Sequence, residues 1–169
     1  MAATVEIDEQ NGKSGSPALT HNIANSNMGS ADSSSINPIA HPIAQGENSF
    51  EKWQLIHVTD MGTASAIKNI RIWRSGILGE NAVHVTNASI LSYKGEAKYR
   101  TPTNSVSDVA IYNMPSIIPG SANLGIGGSL IGTITKAGYS DFFVHQIQTT
   151  EAALSGSTTV MNYSYDETA

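Results

Sequence analysis

The feature that most constrains this chain is where its aromatic residues stop. All eleven lie between Phe50 and Tyr165, and the first 49 residues contain none. A segment without aromatics and rich in Ser, Asn, Ala and Gly buries too little apolar surface to offset the entropy lost on ordering. Residues 1–49 are therefore expected to form a long extended N-terminal arm, and residues 50–169 the folded domain. A folded part of about 120 residues is enough for one domain with its own core, and short for two.

Within the arm, Thr4-Val5-Glu6-Ile7-Asp8 alternates apolar and polar residues and reads as a single strand that would add to another chain's sheet. Asn11 to Ser35 reads as a polar linker punctuated by Gly12, Gly15, Pro17 and Gly29. Ile36-Asn37-Pro38-Ile39-Ala40-His41-Pro42-Ile43 follows. Proline sets its own φ and pushes its predecessor toward extended backbone, so this stretch is expected to be a semi-rigid ribbon. Val5, Ile7, Ile36, Pro38, Ile39, Pro42 and Ile43 are the expected partner-binding residues.

Beyond Phe50, short runs rich in β-branched and aromatic residues alternate with Gly, Asn, Asp and Pro. Strands are expected at Trp53–Thr59, Ala66–Trp73, Ala82–Thr86, Ile90–Tyr93, Val109–Tyr112, Leu130–Thr135, Phe142–Thr149 and Thr158–Tyr165. In the last of these, Met161, Tyr163 and Tyr165 share one face. Only Glu151–Leu154 offers a helical turn. This spacing points to an all-β fold, an antiparallel β-sandwich or jelly-roll-like domain.

Composition removes several classes of function. Charged residues make up only 14% of the chain and the net charge is −5, which opposes non-specific nucleic-acid binding; Lys68, Arg71 and Arg74 are a local exception. Without cysteine, disulfides and thiolate-bound zinc are both impossible. No apolar run approaches the roughly 20 residues of a membrane span, and the acidic first ten residues do not read as a signal peptide.

The chemistry-bearing patterns are weak. Gly125-Ile126-Gly127-Gly128 lacks the Lys-Ser/Thr and following helix of a phosphate loop. His21, His41, His57, His84 and His145 form no close sequence pair; His57, His84 and His145 would meet only if their strands were neighbours, and no metal site is expected. There is no Gly-x-Ser-x-Gly elbow. Asp108, Asp141, Asp166 and Glu167 fall mostly at strand ends, where Asp serves turns. No enzymatic activity and no cofactor are expected. Trp53, Trp73, Tyr93, Tyr99 and Tyr112 offer an alternative, a carbohydrate-binding platform.

Three segments carry a family resemblance: Asn69-Ile70-Arg71-Ile72-Trp73-Arg74-Ser75, Ser140-Asp141-Phe142-Phe143-Val144-His145-Gln146-Ile147, and Met161-Asn162-Tyr163-Ser164-Tyr165-Asp166-Glu167. They resemble strands of small β-sandwich virion proteins of tailed phages, of the capsid decoration (cement) type. The resemblance implies a virion location after assembly in the host cytoplasm. It also implies a homo-oligomer, a trimer for preference, and the major capsid protein or other virion proteins as partners. Neither nucleic acid nor membrane would be a partner. A tail or baseplate role is the neighbouring alternative.

Overall fold

The computed structural model describes residues 1–24, 26–89, 95–124, 133–154 and 158–169, with the side chain of Thr158 left aside. Among these the chain forms nine strands and no helix. They are β1 (Thr4–Asn11), β2 (Ala18–Thr20), β3 (Lys52–Asp60), β4 (Ala66–Ile77), β5 (Ala82–Thr86), β6 (Tyr112–Asn113), β7 (Gly138–Tyr139), β8 (Phe143–Thr149) and β9 (Thr158–Thr168). All pairings are antiparallel, so the fold is all-β as its alternation requires. The expected strand at Ile90–Tyr93, the first half of Leu130–Thr135, and the Gly125–Gly128 cluster lie outside the described residues; of the rest, Ile134 makes a single bridge to Ile67.

Seven strands form one sheet in the order β2-β1-β3-β8-β5-β6; β8 takes the first half of one β3 edge and β7 the second. β4 and β9 form a separate two-stranded sheet. An apolar cluster draws on both sheets: Ile56 and Val58 of β3 and Phe143 of β8 meet Ile67, Ile70 and Ile72 of β4. Met161, Tyr163 and Tyr165 of β9 pack against it from the face the alternation assigns them. Ile67 and Ile70 are three apart, so a strictly alternating strand could not point both inward. A bulge between Lys68 and Arg71, with Asn69 at φ +56°, supplies the extra residue that restores the phase.

The opposite face of the larger sheet is also covered. Trp53 and Leu55 of β3, Val144 of β8 and Val85 of β5 pack with Val109, Ala110 and Phe142 from the connecting segments. Trp53 is fully buried, edge-on to Tyr99 and Phe142, and its indole N–H donates to Glu51. β3 is thus buried on both faces, which explains its near-continuous burial over Lys52–Ile56. The Val109–Tyr112 run contributes to this layer chiefly by packing: only Tyr112 and the following Asn113 enter the ladder, against β5.

Residues 1–49 differ from the arm expected of them. β1 pairs along β3 of the same chain from Thr4 to Gln10, and Val5 and Ile7 pack on the shared core. The physical reason is polar as well as apolar. Glu9 is completely buried and accepts from Lys52 at 2.7 Å and from Gln54 at 2.9 Å, so β1 carries the counter-charge that β3 needs. Farther along, Ser49 donates its backbone N–H to Ile147, and Phe50 to Gly29. The ribbon expected at Ile36–Ile43 is a turn: Ala40 and His41 both donate to the Asn37 carbonyl, and the Asn37 side chain accepts from Ile39. Pro38 sits where its fixed φ favours a turn, and the Asn before it closes the bend.

Candidate functional site

The seven expected partner-binding residues do not form one surface. Val5 and Ile7 are half-buried in the core, Ile36 is buried, and Ile43 is partly covered. Pro38, Ile39 and Pro42 stand exposed on the Asn37 turn, with Ile39 91% accessible. The aromatic residues are equally scattered. Trp53 has no accessible face, Tyr99 packs on it and donates to the Gly12 carbonyl, and Tyr112 lies on β6. Tyr93 is outside the described residues; with Trp53 fully buried, no sugar platform can be built around that indole.

Histidines provide the most organised chemistry. His84 on β5 and His145 on β8 meet at 2.9 Å on the core-facing side, whereas His57 points from the other face of β3. A polar chain runs through the interior from His84 to His145, to Gln54, to Glu9 and to Lys52. All five side chains are buried. The Gln54 carbonyl accepts from Tyr163, and from His145 Nε2 at 3.0 Å, while its amide donates to Glu9 and Ser26. His145 Nε2 must then carry the proton, leaving Nδ1 to accept from His84 Nε2. Both imidazoles are neutral in this arrangement. Burial is the main cause, with Arg74 assisting at His84 and His84 and Lys52 at His145: the pKa of His84 falls to about 3, and that of His145 is held well below the usual histidine range.

Lys52 completes the chain by donating to the Ser33 carbonyl at 2.6 Å, and Asn11 bridges Glu9 to Asp32. Five N-terminal residues (Glu9, Asn11, Ser26, Asp32 and Ser33) are therefore bound into this network. Burial of an ion pair is tolerable only when its own donors and acceptors are met; here Glu9 and the Lys52 ammonium have their partners, while Asn11 Oδ1 and His84 Nδ1 at the ends of the network are buried without one. The network is a structural tie, and its outer members Asn11, Asp32 and Ser33 line a surface depression beside β2.

A second cluster lies on the opposite face of β3. Asp8 is buried; its Oδ1 accepts from the Asn22 N–H, and its Oδ2 lies 2.7 Å from His21 Nδ1 and 3.1 Å from His57 Nδ1. Glu6, directly across the ladder from His57, brings Oε2 to 3.8 Å of the same Nδ1. On the other side of His57, its register partner Tyr139 stacks on the imidazole at 4.0 Å. Desolvation first, then the charges of Asp8 and Glu6, raise the Tyr139 hydroxyl pKa. This gathering was not legible in the sequence, because Asp8, His21 and His57 share no motif spacing and meet only through the β2-β1-β3 pairing.

The third feature is a surface. β9, eleven residues long, pairs with β4 on one edge, and among the described residues no strand pairs with its other edge. Ser75 and Ile77 of β4 lie opposite Val160 and Thr158 of β9, which places Ile77 and Val160 on one outward face, 83% and 58% exposed. A further apolar group, Ile111, Tyr112, Ile117 and Ile118, is exposed around β6.

No family model matches the chain, and no curated protein or solved structure matches it either.

Proposed function

We propose that the protein is a non-enzymatic virion structural protein that decorates a phage capsid as a homo-oligomer, with the major capsid protein as its partner. The observation that carries the self-association is the edge of β9. Natural edge strands are blunted by proline, charge, bulges or brevity, since their unpaired N–H and C=O groups recruit other strands. Thr158 to Tyr165 contains no proline, glycine or charge, and β9 is charged only at Asp166 and Glu167. Exposed Ile77 and Val160 beside that edge add apolar surface to the same contact. Placement in a virion rests on the sequence resemblance of the strands around Asn69, Ser140 and Met161. The absence of a hydrolase elbow or phosphate loop from the sequence agrees with a non-enzymatic role.

Pairing of β9 with β9 would close as a twofold dimer; pairing of β9 with a different edge of the next subunit would close as a ring, the arrangement expected of a cement trimer. Light scattering on the full chain and on a variant carrying both Ile77→Lys and Val160→Lys separates these cases. A trimer that the variant reduces to a folded monomer supports the reading, and co-sedimentation with undecorated phage heads then tests the partner. A wild type that remains monomeric at tens of micromolar or higher refutes self-association. An oligomer that ignores heads but binds tails moves the protein to the tail apparatus.

A further inference from the structure

We propose that Asp8, His21 and His57 bind one divalent transition-metal ion of the zinc class, with the Glu6 carboxylate beside them. The inference does not depend on the virion reading. Two imidazoles and a carboxylate are the donor set that borderline ions such as Zn²⁺, Co²⁺ and Ni²⁺ prefer over Mg²⁺ or Ca²⁺. Ligand atoms about 2.0–2.1 Å from such an ion stand roughly 2.9–3.4 Å from one another. Here His21 Nδ1 and His57 Nδ1 lie 2.7 and 3.1 Å from Asp8 Oδ2, and all three ligand atoms fall within 4.8 Å of one another. Small side-chain adjustments would open the centre to an ion.

The surroundings hold the donors in place. Asp8 Oδ1 is occupied by the Asn22 N–H at 2.9 Å, which orients the carboxylate and leaves Oδ2 toward the two imidazoles. Asn22 adopts φ +47°, and Ile23 donates to the Ile7 carbonyl, so the backbone that carries His21 is folded back over β1. Tyr139 fixes the plane of the His57 ring, lying nearly parallel to it at 15°. The His57 Nδ1 atom is buried and makes no hydrogen bond of acceptable direction, despite its 3.1 Å approach to Asp8. A buried nitrogen in this state is a cost to the fold that coordination would remove.

Charge agrees with the assignment. Asp8 and Glu6 together carry two negative charges against two imidazoles that ligate in the neutral form, so a dication leaves the site neutral. His21 is 57% exposed on its side chain, giving an ion a route from solvent. Bound metal would clip β1, β3 and the segment after β2 together at the position where the N-terminal region joins the sheet.

The test uses the full, untagged chain stripped with a chelator and titrated with Zn²⁺, and with Co²⁺ as a spectroscopic probe. The expected result is uptake of one ion per chain, a rise in thermal midpoint that Mg²⁺ does not produce, and visible Co²⁺ absorption bands. His21→Ala, at an exposed site, should keep the fold and lose stoichiometric uptake; His57→Gln should lose it as well. Absence of one-to-one uptake by the folded wild type overturns the proposal and leaves a hydrogen-bonded carboxylate–imidazole cluster. Undiminished uptake by both variants also overturns it, because the ion would then sit elsewhere.

Discussion

Replacing Glu9 by Ala is the most direct test of how the N-terminal region is held. The carboxylate has no accessible surface and receives three side-chain donors, from Lys52 at 2.7 Å, Gln54 at 2.9 Å and Asn11 at 3.0 Å. The substitution leaves the Lys52 ammonium, whose side chain is 2% exposed, without its counter-charge. Breaking a buried pair from one side costs about 3–5 kcal/mol, and the one Gln54 N–H that loses its acceptor, the other still reaching Ser26, adds about 1 kcal/mol, part of it the same desolvation counted twice. A loss of about 4 kcal/mol in a chain of this size lowers the melting temperature by roughly 8–16 °C. Thermal unfolding by circular dichroism and a urea titration read both quantities. The double variant Glu9→Leu with Lys52→Met removes both charges and should lose less than Glu9→Ala alone. A Glu9→Ala protein within about 1 kcal/mol of wild type, with unchanged circular dichroism, would refute the claim that this pair anchors β1.

Other consequences follow from the same interior. His84 and His145 are neutral when folded and take up protons near the ordinary value of 6.5 when unfolded, so the unfolded state binds more protons below that pH. Their contribution to stability is then flat above about pH 6.5 and falls on acidification, for His84 down to about pH 3; His84 alone removes about 2 kcal/mol by pH 5, read as a lower urea midpoint that His84→Gln makes less pH-dependent. With Trp73 replaced by Phe, the remaining indole at Trp53 should emit at short wavelength, resist acrylamide quenching and ignore added polysaccharide. Gly29→Ala would put a Cβ 2.5 Å from the His41 carbonyl oxygen, and should cost about 1–3 kcal/mol in a urea titration, the range for overpacking. A chain starting at Ser49 lacks Glu9 and the Ser33 carbonyl that Lys52 contacts, so it should be soluble only as an unfolded or aggregated species by circular dichroism and light scattering.

The ladder of the second half was legible because its side chains obey one rule. Ile70 and Ile72 are buried while Arg71 and Trp73 are not, and Met161, Tyr163 and Tyr165 pack inward, as a period of two requires. β2 and β7 were not legible: three and two residues long, they have too few positions to display a period. The turn at Pro38 escaped for a different reason. Proline accommodates either extended or turn backbone, and the choice was made by the Asn37 side chain and by the approach of Gly29 to His41. The cluster around Asp8 had no sequence signal, since its members come from β1, β3 and the segment after β2.

What the sequence determined by itself was the class of structure: short alternating runs with no helical period can satisfy their backbone only in sheets, and a chain without cysteine must hold together by packing and hydrogen bonds. Tertiary structure decided the fate of the first 49 residues. Apolar patterning measures only one way of paying for order, and by that measure the segment is poor. Much of its order rests on Glu9, Ser26 and Ser33, polar residues that gain their partners only when Lys52 and Gln54 are brought beside them by the pairing of β1 and β3, with Asn11 and Asp32 bracing Glu9 from within the segment. A buried charge identifies its counter-charge through space, and that relation has no period to read along the chain.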